Sequence, residues 1–261
     1  MKLLIVLAGL LGIAMAMPTE QSQEGNLIPV EMVKRQDSTP CGNPVGKNEE
    51  SQGKALIDVF LKHSISHFVY TSVDRGTNSD TDATNIPHFI TEYDIEQHLF
   101  FCVAEKSNMA YTVLRPVGFY DNVTADFFCK VFTTSWAVKL PEDKKLQLIA
   151  TSDNGEFAGQ AFLKDQGDVY RNKSMSLAAA ALSLEEFQGI FEKKTGEKLP
   201  MTYGFVAKMV MGLNKDIGIM YDWFREVGFG ASVEECEAIH GGMKGFEEWI
   251  ETESAWKNAR Y

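Results

Sequence analysis

The chain is short of positive charge. Its 25 Lys and Arg stand against 36 Asp and Glu, a net charge of −11. A nucleic-acid groove needs a basic surface to displace counterions, and an anionic membrane surface attracts basic segments. The composition therefore excludes both kinds of partner. Long hydrophobic runs are also missing. The longest, Leu3–Met17, falls short of the roughly 20 residues that span a bilayer, so no membrane span is expected in the mature form. Cysteine is sparse. Cys41, Cys102, Cys129 and Cys236 show no C-x-x-C and no metal-ligand spacing, and no metal site is predicted. Internal repeats are absent as well. What is present is enough apolar material for a core: 44% of residues are hydrophobic and 11% aromatic, which excludes wholesale disorder.

The beginning of the chain reads as a secretory leader. Lys2 precedes the apolar run, Pro18 follows it, and Ala14-Met15-Ala16 supplies a small-x-small cleavage site. A strand over Leu3–Leu7 followed by Gly9 and Gly12 is the competing reading. That would be a partial G-x-x-G-x-x-G loop, but Met15 holds the third glycine position and no useful helix follows. The leader (residues 1–17) is preferred. Residues 18–51 are polar and aperiodic and read as linker or pro-region. Within them Lys34-Arg35 is either a dibasic processing site or two solvated charges.

From Gln52 the pattern becomes regular. Ala55, Leu56, Val59 and Phe60 mark a helix face, and His67–Val73 is a short apolar run expected as a buried strand. A polar loop follows over 74–87. Tyr93–Ser107 is amphipathic, with Ile95, Leu99, Cys102 and Val103 on one face, so Cys102 is expected as a buried thiol. Tyr111–Leu114, Leu146–Ala150 and Ser176–Ala179 read as further strands, and Phe157, Ala158, Ala161 and Phe162 as a helix face. Asp153 is the expected N-cap of that helix. Ser183-Leu184-Glu185-Glu186 and Ser232-Val233-Glu234-Glu235 each read as a capping box. Residues 203–227 read as helical, with Met209, Leu213, Met220 and Trp223 as a core stripe. Strands alternating with helices predict an α/β parallel sheet followed by a mainly helical C-terminal part.

Several segments, in order, are similar to one family. Gln52–Asp58, His67–Gly76 (HFVYTSVDRG), Pro87-His88-Phe89, Leu114-Arg115-Pro116 and Phe119–Asn122 carry the likeness. Thr151–Ala158, Thr202–Phe205 and the segment ending at Trp256 continue it. Over residues 52–257 the chain resembles the NmrA-like family, a divergent branch of the short-chain dehydrogenase/reductases. The resemblance implies a Rossmann-like fold binding NADP(H), with a helical part closing over the cleft. It further implies that Arg115, Pro116, Val117, Gly118 and Phe119 form the loop beside the nicotinamide and that Ser72 sits in the strand-end serine region. Ser72 is otherwise a hydroxyl bonding local backbone.

In the parent superfamily a Tyr-x-x-x-Lys pair donates the proton and holds the ribose. Here His88 and Glu92 align with that pair. A carboxylate in place of the lysine removes the ribose anchor. Glu92 is expected as a solvated group near a helix N-terminus and His88 as a loop histidine, and no catalytic residue is assigned.

The family's glycine loop and first strands have no counterpart in this reading. The fold is therefore expected as a partial Rossmann-like sheet lacking its first strands. The bare edge of His67–Val73 would invite pairing with another copy of the chain. NADP binding is expected to be weakened or lost, leaving a non-catalytic protein of redox-sensing or regulatory ancestry with a small-molecule or protein partner. The alternatives are an active NADP-dependent oxidoreductase and a secreted interaction protein. The leader implies secretion; the family implies cytoplasm or nucleus. Asn122-Val123-Thr124 and Asn172-Lys173-Ser174 would be glycan acceptors in the first case.

Overall fold

The computed structural model describes residues 2–4, 47–106, 109–163 and 169–258. Strands β1 (Lys2–Leu4), β2 (His67–Thr71), β3 (Ala110–Pro116) and β6 (Lys173–Leu177) form one parallel sheet in the order β1-β2-β3-β6. A second sheet joins β4 (Gly118–Phe119), β5 (Leu146–Ile149) and β7 (Ala180–Leu182) in the order β4-β5-β7, with β5 and β7 antiparallel. The helices are α1 (Lys47–Lys62), α2 (Pro87–Lys106), α3 (Phe127–Lys139), α4 (Thr151–Leu163), α5 (Leu184–Thr195), α6 (Gly204–Leu213), α7 (Lys215–Glu226), α8 (Val233–Ile239) and α9 (Phe246–Thr252). Among the described residues no helix is long and apolar enough to cross a membrane.

Alternation along β2 builds the layers. Phe68 and Tyr70 face Ile57 and Phe60 of α1 and Ile95 and Leu99 of α2. Val69 faces the other way and packs with Leu114, Phe157 and Ala161, which places α4 on the opposite side. A strand covered on both faces needs a continuous apolar run, and all five β2 residues are buried. The third and largest cluster joins α3 and the second sheet to the C-terminal helices. It brings Trp136, Phe187, Phe191, Tyr221, Phe246 and Trp249 together, with Phe187 stacked on Phe246 at 3.9 Å between ring centres.

Several expectations change. The edge of β2 is not bare: β1 pairs with it in parallel, Lys2 with His67, Leu3 with Phe68 and Leu4 with Val69. The apolar run that reads as a leader thus also satisfies the open N–H and C=O groups of β2 over those residues. Among the described residues no strand lies beyond β1. The remainder of the leader, Gly9 and Gly12, the linker up to residue 46 and Cys41 lie outside the described residues.

Helix α1 begins before Gln52, and its buried face is Gly53, Ile57 and Phe60, while Ala55 and Val59 point outward. The stripe on 203–227 splits at Asn214, where α6 ends and α7 begins. Met220 and Trp223 are buried, but Met209 and Leu213 are 56% and 82% exposed, because α6 turns Ala207 and Met211 inward instead.

Asp153 does not cap α4. The carboxylate of Asp121 accepts from Thr151 N (2.9 Å) and Thr151 Oγ1 (2.8 Å), whereas buried Asp153 accepts from Lys244 N at 2.9 Å. The capping box at Ser183 forms in full, and Ser232 caps α8. Cys102, Cys129 and Cys236 are all buried, and no disulfide joins them.

Candidate functional site

Parallel α/β sheets place ligands at the carboxyl ends of their strands. Here the chain after β2 stays alongside β3, with Ser72 N donating to Leu114 O (2.7 Å) and Asp74 N to Pro116 O (3.0 Å). After Val117 the chain leaves the first sheet and joins the second, Gly118 aligning with Leu148 and Phe119 with Ile149. A cavity of about 320 Å³ opens at this switch, a size suited to a small organic ligand.

Ser72, Pro116, Val117, Gly118 and Phe119 all line the cavity. Glycine at 118 answers a packing need: a Cβ there would come within 3.1 Å of Leu148 Cδ2 and 3.3 Å of Gln147 O. Ser72 Oγ accepts from Arg75 Nη1 at 3.3 Å, so its hydroxyl is partly engaged.

Arg115 is the exception among the expected site residues. Its side chain does not line the cavity. It runs to Glu96, with Nη2 2.6 Å from Oε2 and Nε 3.2 Å from Oε1, and to Asp80 at 2.7 Å. Arg75, fully buried, donates to the same carboxylate at 3.1 and 2.7 Å and to the carbonyls of Val73, Ser79 and Asp82. One buried carboxylate thus holds two guanidinium groups and fixes the 72–82 loop on α2. The neighbouring Asp74 accepts from Gly76 N (2.9 Å) and Gly230 N (2.8 Å), tying that loop to the C-terminal part. The Asp74-Arg75-Gly76 motif is therefore a loop clamp.

His88 and Glu92 depart furthest from expectation. Both belong to α2, which starts at Pro87, and their four-residue spacing puts both on the cavity wall. Glu92 is not solvated: it is 3% exposed. Tyr70 Oη donates to its Oε2. Burial, with the Glu49 and Glu96 carboxylates adding to it, outweighs the Tyr70 hydrogen bond and Arg75 and raises Glu92 from 4.5 to about 8. Burial likewise pushes Tyr70 up, reinforced by Glu92. Burial lowers His88 by more than the Asp216 carboxylate raises it, so its imidazole is neutral at neutral pH.

Most of the rest of the wall is aromatic and aliphatic, with Phe89, Phe128, Phe132, Phe224 and Phe229 beside Leu146, Ile217 and Met220, while Asn214 and Asp216 add polar groups at the start of α7. No Lys or Arg occurs among the lining residues. Asn122 also lines the cavity. It is 5% exposed, so it is no glycan acceptor in the folded chain, and its Oδ1 has no hydrogen-bond partner among the described residues. An unsatisfied buried acceptor in a cavity wall awaits a donor from a ligand or water. Phe89 and Asn122 belong to the resembling segments, whereas Ile217 and Phe224 of α7 reach the cavity only through the tertiary fold.

A dinucleotide would fit this site in part. The loop Pro116–Phe119 flanks the cavity, but its described wall offers no cation for ribose or phosphate, and Glu92, which aligns with the lysine position of the parent superfamily, is a buried carboxyl group.

Comparison with known proteins places these features in a family. The model of the NmrA-like family matches residues 23–250. Among solved structures, triphenylmethane reductase of Citrobacter sp., complexed with NADP(H), shares 15% identity at a TM-score of 0.55, covering 80% of this chain and 73% of that one. An NADPH-dependent quinone oxidoreductase of Escherichia coli, complexed with NADPH, shares 15% at a TM-score of 0.56, covering 77% and 70%. NmrA, a negative transcriptional regulator in complex with NADP, shares 14% at 0.54, covering 80% and 70%. At these identities the likeness is one of fold. No curated protein matches the chain in sequence.

Proposed function

Because this chain belongs to the NmrA-like family, we propose that it is a non-catalytic member that binds a neutral, largely apolar small molecule and holds NADP(H) weakly or not at all. The observation that carries this reading is Glu92. It stands where the parent superfamily keeps its lysine, buried in the cavity wall, bonded to Tyr70 and uncharged at neutral pH. A lysine there would hold the ribose hydroxyls and stabilise a tyrosinate. A neutral carboxyl group can do neither. Both arginines near the strand ends are committed to Glu96 and leave no charge for phosphate. The solved relatives that hold NADP(H) support dinucleotide-binding ancestry. The aromatic walls and the Asn122 acceptor favour a flat apolar ligand carrying a hydrogen-bond donor. Buried Asn122 favours the intracellular alternative over a secreted, glycosylated form.

The test pairs a binding assay with a turnover assay. A neutral naphthalene fluorophore should bind saturably, and Ile217→Trp, which puts an indole into the cavity wall, should weaken it at least about tenfold, or roughly 1.4 kcal/mol. NADPH oxidation with a quinone acceptor should stay at the buffer rate. Probe binding indifferent to Ile217→Trp, or turnover above background, contradicts the reading.

One observation favours the reductase alternative: His88 reaches the same cavity. In that reading the neutral imidazole orients a carbonyl by hydrogen bonding, and the turnover assay decides it.

A further inference from the structure

Helices α1 and α2 pack closely. Gly53 sits against Ile95, where a Cβ would come within 2.6 Å of the Ile95 Cδ1 methyl. Further along the same contact, three side chains of different chemistry converge. Asp58 comes from α1, and His98 and Cys102 lie one turn apart on α2. His98 Nε2 is 2.9 Å from Asp58 Oδ1 and 3.6 Å from Cys102 Sγ, and all three donor atoms lie within 4.8 Å of one another. None of the three lines the cavity described above.

The same imidazole nitrogen faces both partners. A nucleophile–base–acid relay needs the two ring nitrogens used separately, one toward the thiol and one toward the carboxylate. That arrangement is absent here. Three donor atoms of metal-ligating type within 4.8 Å of one another are instead the proximity a metal site requires. Zinc bonds of about 2.0–2.3 Å in a tetrahedron put donor atoms roughly 3.3–3.7 Å apart; the His98–Cys102 separation of 3.6 Å matches, and the His98–Asp58 pair at 2.9 Å needs to open by a few tenths of an ångström. The donor set of imidazole, thiolate and carboxylate suits a borderline-soft ion and disfavours magnesium or calcium, which take oxygen ligands. Burial is graded in a useful way. Cys102 is 4% exposed, while the His98 and Asp58 side chains are 25% and 61% exposed, so an ion can enter from the Asp58 side.

We propose that Asp58, His98 and Cys102 form a zinc site that pins α1 to α2 and leaves the fourth position to water or an exogenous ligand. On binding, the Cys102 thiol releases its proton to solvent as the Zn–S bond forms, and no electrons are transferred.

Cobalt(II) reports on this directly. The full chain, stripped with chelator and titrated with Co²⁺, should bind a single equivalent and show tetrahedral visible bands with a thiolate-to-cobalt charge-transfer band. Excess Zn²⁺ should bleach both and raise the melting midpoint by a few degrees. Cys102→Ser should abolish the charge-transfer band, while His240→Gln, away from the cluster, should leave it. Should Cys102→Ser fail to fold, Asp58→Asn on the helix surface decides. Its cobalt affinity should fall by at least the roughly tenfold that loss of even an outer-shell partner produces. A cobalt complex without the thiolate band, a band that survives Cys102→Ser, or unchanged affinity in Asp58→Asn overturns the proposal.

Discussion

Glu96→Ala is expected to destabilise the chain by about 3–5 kcal/mol, enough to unfold a domain of ordinary stability. The reason lies in what the substitution leaves behind. Glu96 is fully buried and accepts from both Arg75 and Arg115. Without it two guanidinium groups keep their charge in a low-dielectric site. Arg75 retains carbonyl partners and Arg115 retains Asp80, but Asp80 is largely exposed and screened by solvent. Urea unfolding measures the difference. Arg115→Met supplies the contrast: it should cost less, since Glu96 keeps Arg75, and it should leave probe affinity in the cavity unchanged. A stable Glu96→Ala variant, or an Arg115→Met variant that folds but loses the probe, would return Arg115 to the binding site.

The second large effect concerns pH. Glu92 titrates near about 8 in the folded chain against an ordinary value of 4.5. A folded-state pKa above the unfolded one means that the folded chain keeps its proton where the unfolded chain has lost it. The stability this group contributes is therefore full below about pH 4.5, declines as pH rises, and is gone above about pH 8. At about 1.4 kcal/mol per pH unit, the decline across the window is on the order of a few kcal/mol. Glu92→Gln removes the titration while keeping an acceptor for Tyr70. The variant should match the parent near pH 4.5 and exceed it by a few kcal/mol at pH 8, with a flatter curve between. Urea midpoints measured across that range give both curves. Parallel curves would mean that Glu92 is ionised in the folded chain.

These two carboxylates also mark where sequence reading succeeds and where it stops. The β2 and β3 strands were legible because buried parallel strands write themselves as short apolar runs. The capping box at Ser183 was legible because its chemistry is local. β7 was not, since Ala180–Leu182 has neither alternation nor β-branching. An apolar stripe says that a helix has one face, but not where the chain bends at Asn214, so Met209 and Leu213 stand outside the core.

His88 and Glu92 fall outside a helix that begins at Tyr93, as the amphipathic pattern suggests, but inside α2 as it stands. Pro87 was the available signal, because proline is favoured at the first helical position. A helix begun there puts both residues on one face. Arg115 sits in the resembling loop, but its partner Glu96 is one acid among 36, and only the fold selects it. The His98–Cys102 spacing is visible in the sequence, whereas Asp58 joins it only when α1 packs on α2.

The proposed function rests on a cavity whose described wall carries no Lys or Arg to hold a dinucleotide. Calorimetric titration of NADPH into the folded, purified chain tests it most directly. Our account predicts no saturation in the micromolar range, with the apolar probe binding the same sample. Micromolar NADPH affinity would contradict the account. It would mean that phosphate and ribose find their partners despite Glu92.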